Sequence, residues 1–261
     1  SGSPVSNTDG SITSTVKANP ATGFSIVSYT GNATAGATVG HGLSAAPEMV
    51  ILKCRNQSAT VWPVYHSALG ATKALYLNFT SAENTFSGYW NDTAPTTSVF
   101  SLGNWGIDNN GSGDTYIAYC FNSVAGYSSI GSYTGNGSTS NSITGLGFKP
   151  AFLLIKNASV SSSWYIFDNT RDTDDVADKY LRPNIANAEG VLEFCEFTAD
   201  GFDITSSAAE WNGSGNTILY MAFADTREAA FWKDVSGQGN HWQPNNLDYR
   251  DSLIDSPANN F

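Results

Sequence analysis

The sequence predicts an all-β chain of two tandem homologous β-sandwich domains, jelly-roll or lectin-like, with an extended N-terminal arm and a C-terminal tail. Three observations lead there. The segment Gly111–Phe121, GSGDTYIAYCF, returns as Gly213–Phe223, GSGNTILYMAF. Short apolar stretches alternate with period two or form brief continuous runs, the two patterns of half-buried and doubly covered strands. Only 13% of the residues are charged, and the polar remainder is mostly Ser, Thr, Asn and Gly, which suit turns better than long helices.

Taken in order, the arm 1–23 has no counterpart in the repeat. Copy one spans 24–127 and opens with SYTGN at Ser28–Asn32, which returns as Ser132–Asn136 in copy two, 128–225. APEMVILK (Ala46–Lys53) answers to KPAFLLIK (Lys149–Lys156), and VWPVYHS (Val61–Ser67) to SWYIFDN (Ser163–Asn169), aligning Trp62 with Trp164. KALYLN (Lys73–Asn78) matches KYLRPN (Lys179–Asn184), and SVFSLG (Ser98–Gly103) stands opposite DGFDIT (Asp200–Thr205). Equal order and spacing mean equal strand order. The period is too long for a solenoid, so each copy needs its own core. The first and last strands of each copy should pair, one short helix is expected near Asn187–Phe194, and 226–261 is a linker or tail.

The composition also bounds function. A net charge of −11 without a basic patch argues against nucleic acid, and no apolar run is long enough for a transmembrane helix. Cys54, Cys120 and Cys195 are odd in number and widely spaced, and Cys120 aligns with Ala222, so they read as buried, unbridged small apolar residues. His66 aligns with Asp168, so the duplication does not keep an imidazole. Glu193 and Glu196, three apart on a strand, would point to opposite faces and could not act together as a glycosidase pair. No catalytic residues and no cofactor are expected. The acidic stretch Asp168–Asp178 could offer calcium its oxygen ligands, but it lacks the EF-hand order and reads as a solvated loop paired with Arg171 and Lys179. The Asn-x-Ser/Thr triplets read as turn chemistry.

Binding falls to the aromatics. Tyr89 and Trp90 in SGYWNDTAP, Trp105 in GNWGIDNNG and Trp211 in AEWNGSG sit in turn-rich segments beside Asn and Asp. Rings so placed can stack on a pyranose while neighbouring amides fix its hydroxyls. Packing between domains or subunits explains them equally well.

GFSIVSYTGNATAGATVGHGL, VYHSALGATKALYLN, WNDTAPTTSVFSLG and DTYIAYCF, with the second copy's SYTGNGS, GFKPAFLLIK and VADKYL, resemble a repeated module of tail-fibre-like virion proteins of tailed bacteriophages. The resemblance runs from about Ser11 to Phe261. It implies an extracellular virion appendage that assembles with itself, a trimer being favoured, and with other virion proteins. It also implies host-surface contact, glycan included, with no nucleic acid and no membrane insertion. A free-standing carbohydrate-binding module is the alternative, and a polysaccharide-degrading enzyme a more distant one. The tail, similar to a connector, suggests a fragment of a longer chain and is expected to lie against a sandwich.

Overall fold

The computed structural model describes residues 3–172 and 176–225. The first half contains β1 (Val5–Asn7), β2 (Ser14–Asn19), β3 (Phe24–Thr30), β4 (Ala37–Gly40), β5 (Met49–Cys54), β6 (Pro63–His66), β7 (Lys73–Tyr76), β8 (Asn84–Thr85), α1 (Ser87–Trp90), β9 (Val99–Leu102) and β10 (Thr115–Phe121). The second contains β11 (Ser128–Thr134), β12 (Asn141–Thr144), β13 (Pro150–Asn157), β14 (Trp164–Asp168), β15 (Lys179–Tyr180), β16 (Gly190–Val191), β17 (Cys195–Thr198), β18 (Gly201–Ile204), α2 (Ala209–Asn212) and β19 (Thr217–Ala224).

The architecture is all-β, with several antiparallel sheets in a layered, sandwich-like arrangement. The largest sheet runs β1-β2-β3-β10-β5-β6-β7-β8, and its central order β3-β10-β5-β6 reappears as β11-β19-β13-β14. The first and last strands of each half pair in register, Tyr116 opposite Tyr29 and Ile218 opposite Tyr133. Smaller sheets face these: β4-β9 in the first half and β12-β18-β17 in the second. Val27, Val39, Leu52, Phe100 and Ala118 belong to one buried cluster, and Leu153, Phe167, Phe194, Phe202 and Ile218 to another. Each of the larger side chains among them contributes about 1.5–3 kcal/mol on leaving water.

Two expectations are corrected. The N-terminal arm is not a separate extension: β2 pairs with β3 and β1 with β2, so the arm widens the first sheet. Ile12 and Val16 are its contribution to the core, which is why a polar-looking segment is held in place. The segment Asn187–Phe194 contains strand β16 rather than a helix. Gly190 lies against the Tyr180 ring, where a β-carbon would collide, and pairs across to β15. The tail 226–261, and its expected packing against a sandwich, lie outside the described residues.

The repeated words SYTGN and NGSG have one structural explanation. In the first half the amide of Asn32 donates to Asn110 Oδ1 at 2.9 Å, and Asn110 Nδ2 donates to the Thr34 carbonyl at 2.9 Å. In the second, Asn136 donates to Asn212 Oδ1 at 3.0 Å and Asn212 Nδ2 donates to the Ser138 carbonyl at 2.7 Å. Tyr29 and Tyr133 each donate a hydroxyl to the backbone just before, to the Asn109 and Trp211 carbonyls, both at 2.7 Å. The glycines are needed because the two turns touch. A β-carbon on Gly31 would strike the Gly111 carbonyl, and one on Gly135 the Gly213 carbonyl.

The halves pack through the same face of each sheet. Met49, Ile51, Val64 and Leu75 meet Leu154, Trp164, Leu219 and Met221 in a third buried cluster, and the equivalent rings Phe121 and Phe223 touch edge to face, 6.3 Å apart. This accounts for the continuous apolar runs in β5 and β13: alternate residues enter the half's own core, and the others enter the seam. Trp62 and Trp164 both lie at the seam, Trp164 donating its indole N–H to the Tyr76 carbonyl at 2.9 Å. Buried Lys156 closes it, donating to the carbonyls of Asn157 at 2.6 Å and Thr80 at 3.4 Å. Desolvation lowers its pKa to about 8.

His66 is also buried here, its Nδ1 accepting from the Ala68 amide at 3.2 Å. Among the described residues its Nε2 makes no well-formed hydrogen bond, although the Tyr220 backbone is close enough to favour the charged ring slightly. Burial dominates and holds the pKa down to about 4. The neutral ring is therefore the folded form. Its contribution is complete above the ordinary histidine pKa of about 6.5 and is lost as pH falls from there towards 4.

Two outcomes are expected. Asn212→Ala, which removes the side-chain partner of the Asn136 amide and the Ser138 carbonyl and empties a buried position, should lower unfolding free energy by roughly 2–4 kcal/mol in urea denaturation. Between pH 7 and pH 4, wild type should lose roughly 3 kcal/mol more stability than His66→Gln, read as a difference in urea midpoints.

Candidate binding face

The four aromatic candidates separate into core and surface. Trp90 is 1% exposed, on α1, with its ring edge-on to Tyr65 at 5.8 Å. Trp211, on α2, is stacked on Phe194 at 3.8 Å and meets Tyr165 edge-on. Tyr89 is buried beside Tyr76 and Phe86, and burial raises its hydroxyl pKa far above the ordinary value. These three rings cannot stack on a ligand: the short helices that carry them turn inward. Among the described residues the indole N–H groups of Trp90 and Trp211 meet no hydrogen-bond acceptor. Shape, not polarity, fixes those rings.

Trp105 differs. Its ring is 50% exposed and is braced edge-on by Phe86 at 4.7 Å. Its amide donates to Asn109 Oδ1 at 3.1 Å, and Asn109 Nδ2 in turn donates to the carbonyls of Gly88 and Tyr89. Backbone and ring are therefore both positioned. From Phe86 the contacts run inward to Tyr89, then to Tyr76 at 5.8 Å, and out again to Phe79 at 6.0 Å. Phe79 and Ile107 are each 46% exposed. The result is a relay of rings surfacing at Trp105 and Phe79, both anchored on one buried tyrosine.

The rim of this face is polar and mostly uncharged. Asn84 donates to the Tyr76 hydroxyl at 3.2 Å, and Asn104 and Ser87 are exposed beside the rings in sequence. Lys73 is paired with Glu83 at 3.2 Å. Phe79, Phe86 and Tyr76 were missed from sequence. Their only signal was an aromatic every few residues through YLNFTSAENTF, with no period that matches a strand or helix.

Asp168 is bound by Arg171 at 2.7 Å, and its pKa falls below the carboxylate range: partial burial opposes this, but hydrogen bonds and the charge of Arg171 win. Asp172 pairs with Lys179 at 3.0 Å. Asp174 and Asp175 lie outside the described residues. Among the described residues no group of three or more His, Cys, Asp or Glu could hold a metal ion. Glu193 is exposed just before β17 and Glu196 lies within it, opposite Asp203. The three cysteines are free and buried, and burial pushes the Cys120 thiol up to about 12. No helix among the described residues is long and apolar enough to cross a membrane.

The division between core and surface rings is measurable. Trp90→Ala and Trp211→Ala should each cost about 3–5 kcal/mol in urea unfolding. Trp105→Ala should cost no more than about 1 kcal/mol.

No curated protein matches the chain significantly. Among solved structures it is similar to BpGH86A, a β-porphyranase of glycoside hydrolase family 86 from the human gut bacterium Bacteroides plebeius, at 12% identity and a TM-score of 0.19. That match covers 82% of this chain and 36% of the enzyme, about a third of its length, and a likeness so distant says nothing about activity. A family model described as a domain of unknown function, DUF7483, matches residues 1–227. The match spans well over half of the sequence, and the chain belongs to the DUF7483 family.

Proposed function

We propose that this chain is a structural and adhesion module of a bacteriophage virion appendage, such as a tail fibre, that touches host-surface glycan through the Trp105 face. In this reading the two halves are homologous sandwich domains of jelly-roll character, duplicated to extend the module, and the chain assembles with copies of itself, three-fold assembly being favoured. The observation that supports adhesion is Trp105: an indole half open to solvent, with its backbone tied down and its ring braced by Phe86. A rigid aromatic surface loses little conformational entropy on binding, and a neutral amide rim suits sugar hydroxyls. The back-to-back packing through equivalent faces supports the structural part, because it makes one stiff unit from two modules.

The test is binding of the purified chain to an array of bacterial surface polysaccharides. Wild type should bind at least one, and Trp105→Ala should weaken that binding about tenfold or more. Binding to none, or unchanged binding by the variant, rejects the adhesive role of this face. Release of shortened saccharides from a bound polymer would favour the enzyme reading instead.

A further inference from the structure

The outer face of the eight-stranded sheet changes character along its strands. At one end Met49, Ile51 and Phe121 point outward into the seam. At the other, beyond the seam, the outward residues are hydroxylic and end on an arginine. Thr115 stands opposite Thr30, Thr15 opposite Ser28, and the Arg55 amide donates to the Thr115 carbonyl at 2.8 Å. With Thr13 these residues line a shallow cup of about 190 Å³. Adjacent strands lie about 4.8 Å apart, so the hydroxyls form an evenly spaced array.

We propose that this cup binds a carboxylated sugar, with the Arg55 guanidinium taking the carboxylate and the Thr and Ser hydroxyls taking the ring hydroxyls. Threonine is common in strands, so hydroxyls alone would mean little. Arg55 is the distinguishing feature. Among the described residues no carboxylate lies within ion-pair distance of it, whereas Arg171 is held by Asp168 and Glu189, and Lys179 by Asp172. Lys53, the next outward residue on β5, is occupied by the Thr60 carbonyl and hydroxyl and lies over the Trp62 ring.

The duplication supplies an internal comparison. Aligning Lys53 with Lys156 places Ala158 at the position of Arg55, and Ala158 is wholly buried in the seam. Thr134 and Thr217 hold in the second half the paired positions of Thr30 and Thr115 in the first, so the hydroxyls recur but the arginine does not. The fold therefore does not need a guanidinium at this place. It stands only where the face is open. The hydroxyls of Thr13, Thr15 and Thr30 make no hydrogen bond among the described residues, while Thr115 donates at 3.3 Å to Asn56. A planar guanidinium binds a carboxylate through two parallel hydrogen bonds, which orients the ring over the array.

The proposal rests on the adhesion reading only for the source of its ligand, an acidic surface polysaccharide, and it uses none of the Trp105 residues. Amide and arginine side-chain NMR should therefore be followed while D-glucuronate, D-glucose or acetate is added to wild type, Arg55→Met, Thr30→Val and Trp105→Ala. Glucuronate should shift the signals of Ser28, Thr30, Thr115 and Arg55 saturably. Arg55→Met should weaken this at least tenfold with the remaining spectrum unchanged, Thr30→Val should weaken it less, and Trp105→Ala should leave it intact. Glucose and acetate should give no saturable shift at the cup. Absence of a local glucuronate response, or equal affinity in Arg55→Met, overturns the site. Acetate matching glucuronate overturns its assignment to a sugar. Loss in Trp105→Ala overturns the independence of the two faces.

Discussion

In each half a buried asparagine side chain, Asn110 or Asn212, ties the turn after the first strand to the turn before the last. Those two strands pair directly with each other in each half, β3 with β10 and β11 with β19, so this link sets the register from which the other strands are measured. An amide side chain suits the task because it accepts and donates at once, and the neighbouring turns present both kinds of backbone group. Each Asn is wholly buried, and its bonds are satisfied within the protein, so the lock is strong for its size. The left-handed residue that follows the first asparagine is Ala33 in one copy, at φ 57°, and Gly137 in the other, at φ 70°. The first copy thus tolerates at alanine a conformation that glycine adopts freely.

With the central strands locked, the remaining constraint is that both faces of the sheet are occupied. One face of β5 and β13 fills a core, and the other fills the seam between the halves. Loops and sheet margins are then the places left for recognition. Trp105 lies in a loop tied to the first half's lock through Asn109, the residue beside Asn110. Arg55 lies just past the end of β5, where the seam stops. Both proposed sites belong to the first half, which has the wider sheet.

The seam also shows where the two halves differ. Lys53 and Lys156 end equivalent strands, yet Lys53 reaches Thr60 in its own half while Lys156 reaches across to Thr80. His66 is buried as a neutral ring, while its counterpart Asp168 is ion-paired to Arg171 near the surface. Buried polar groups such as His66 and Lys156 raise the energetic cost of mismatched packing at the seam.

The duplicated words and their spacing were enough to determine an all-β chain and the strand order shared by the halves, because period-two patterning and turn chemistry are local, while the pairing of first with last strands followed from the need of a tandem module to keep its ends adjacent. SYTGN and NGSG could be read as turns, but not as partners: their contact joins residues about eighty positions apart, which no local pattern encodes. The same limit governs the aromatics. Tyr89, Trp90, Trp105 and Trp211 look alike in sequence, each in a turn-rich setting, and only packing sends three inward and one out. The arm 3–23 lacked a repeat partner, so its place on β3 was invisible until the sheet's free edge and the space for Ile12 and Val16 were seen. Sequence distinguishes apolar from polar faces along an element. Which apolar face meets which, and which polar face stays open, is decided by the competition among all of them for the same buried volume.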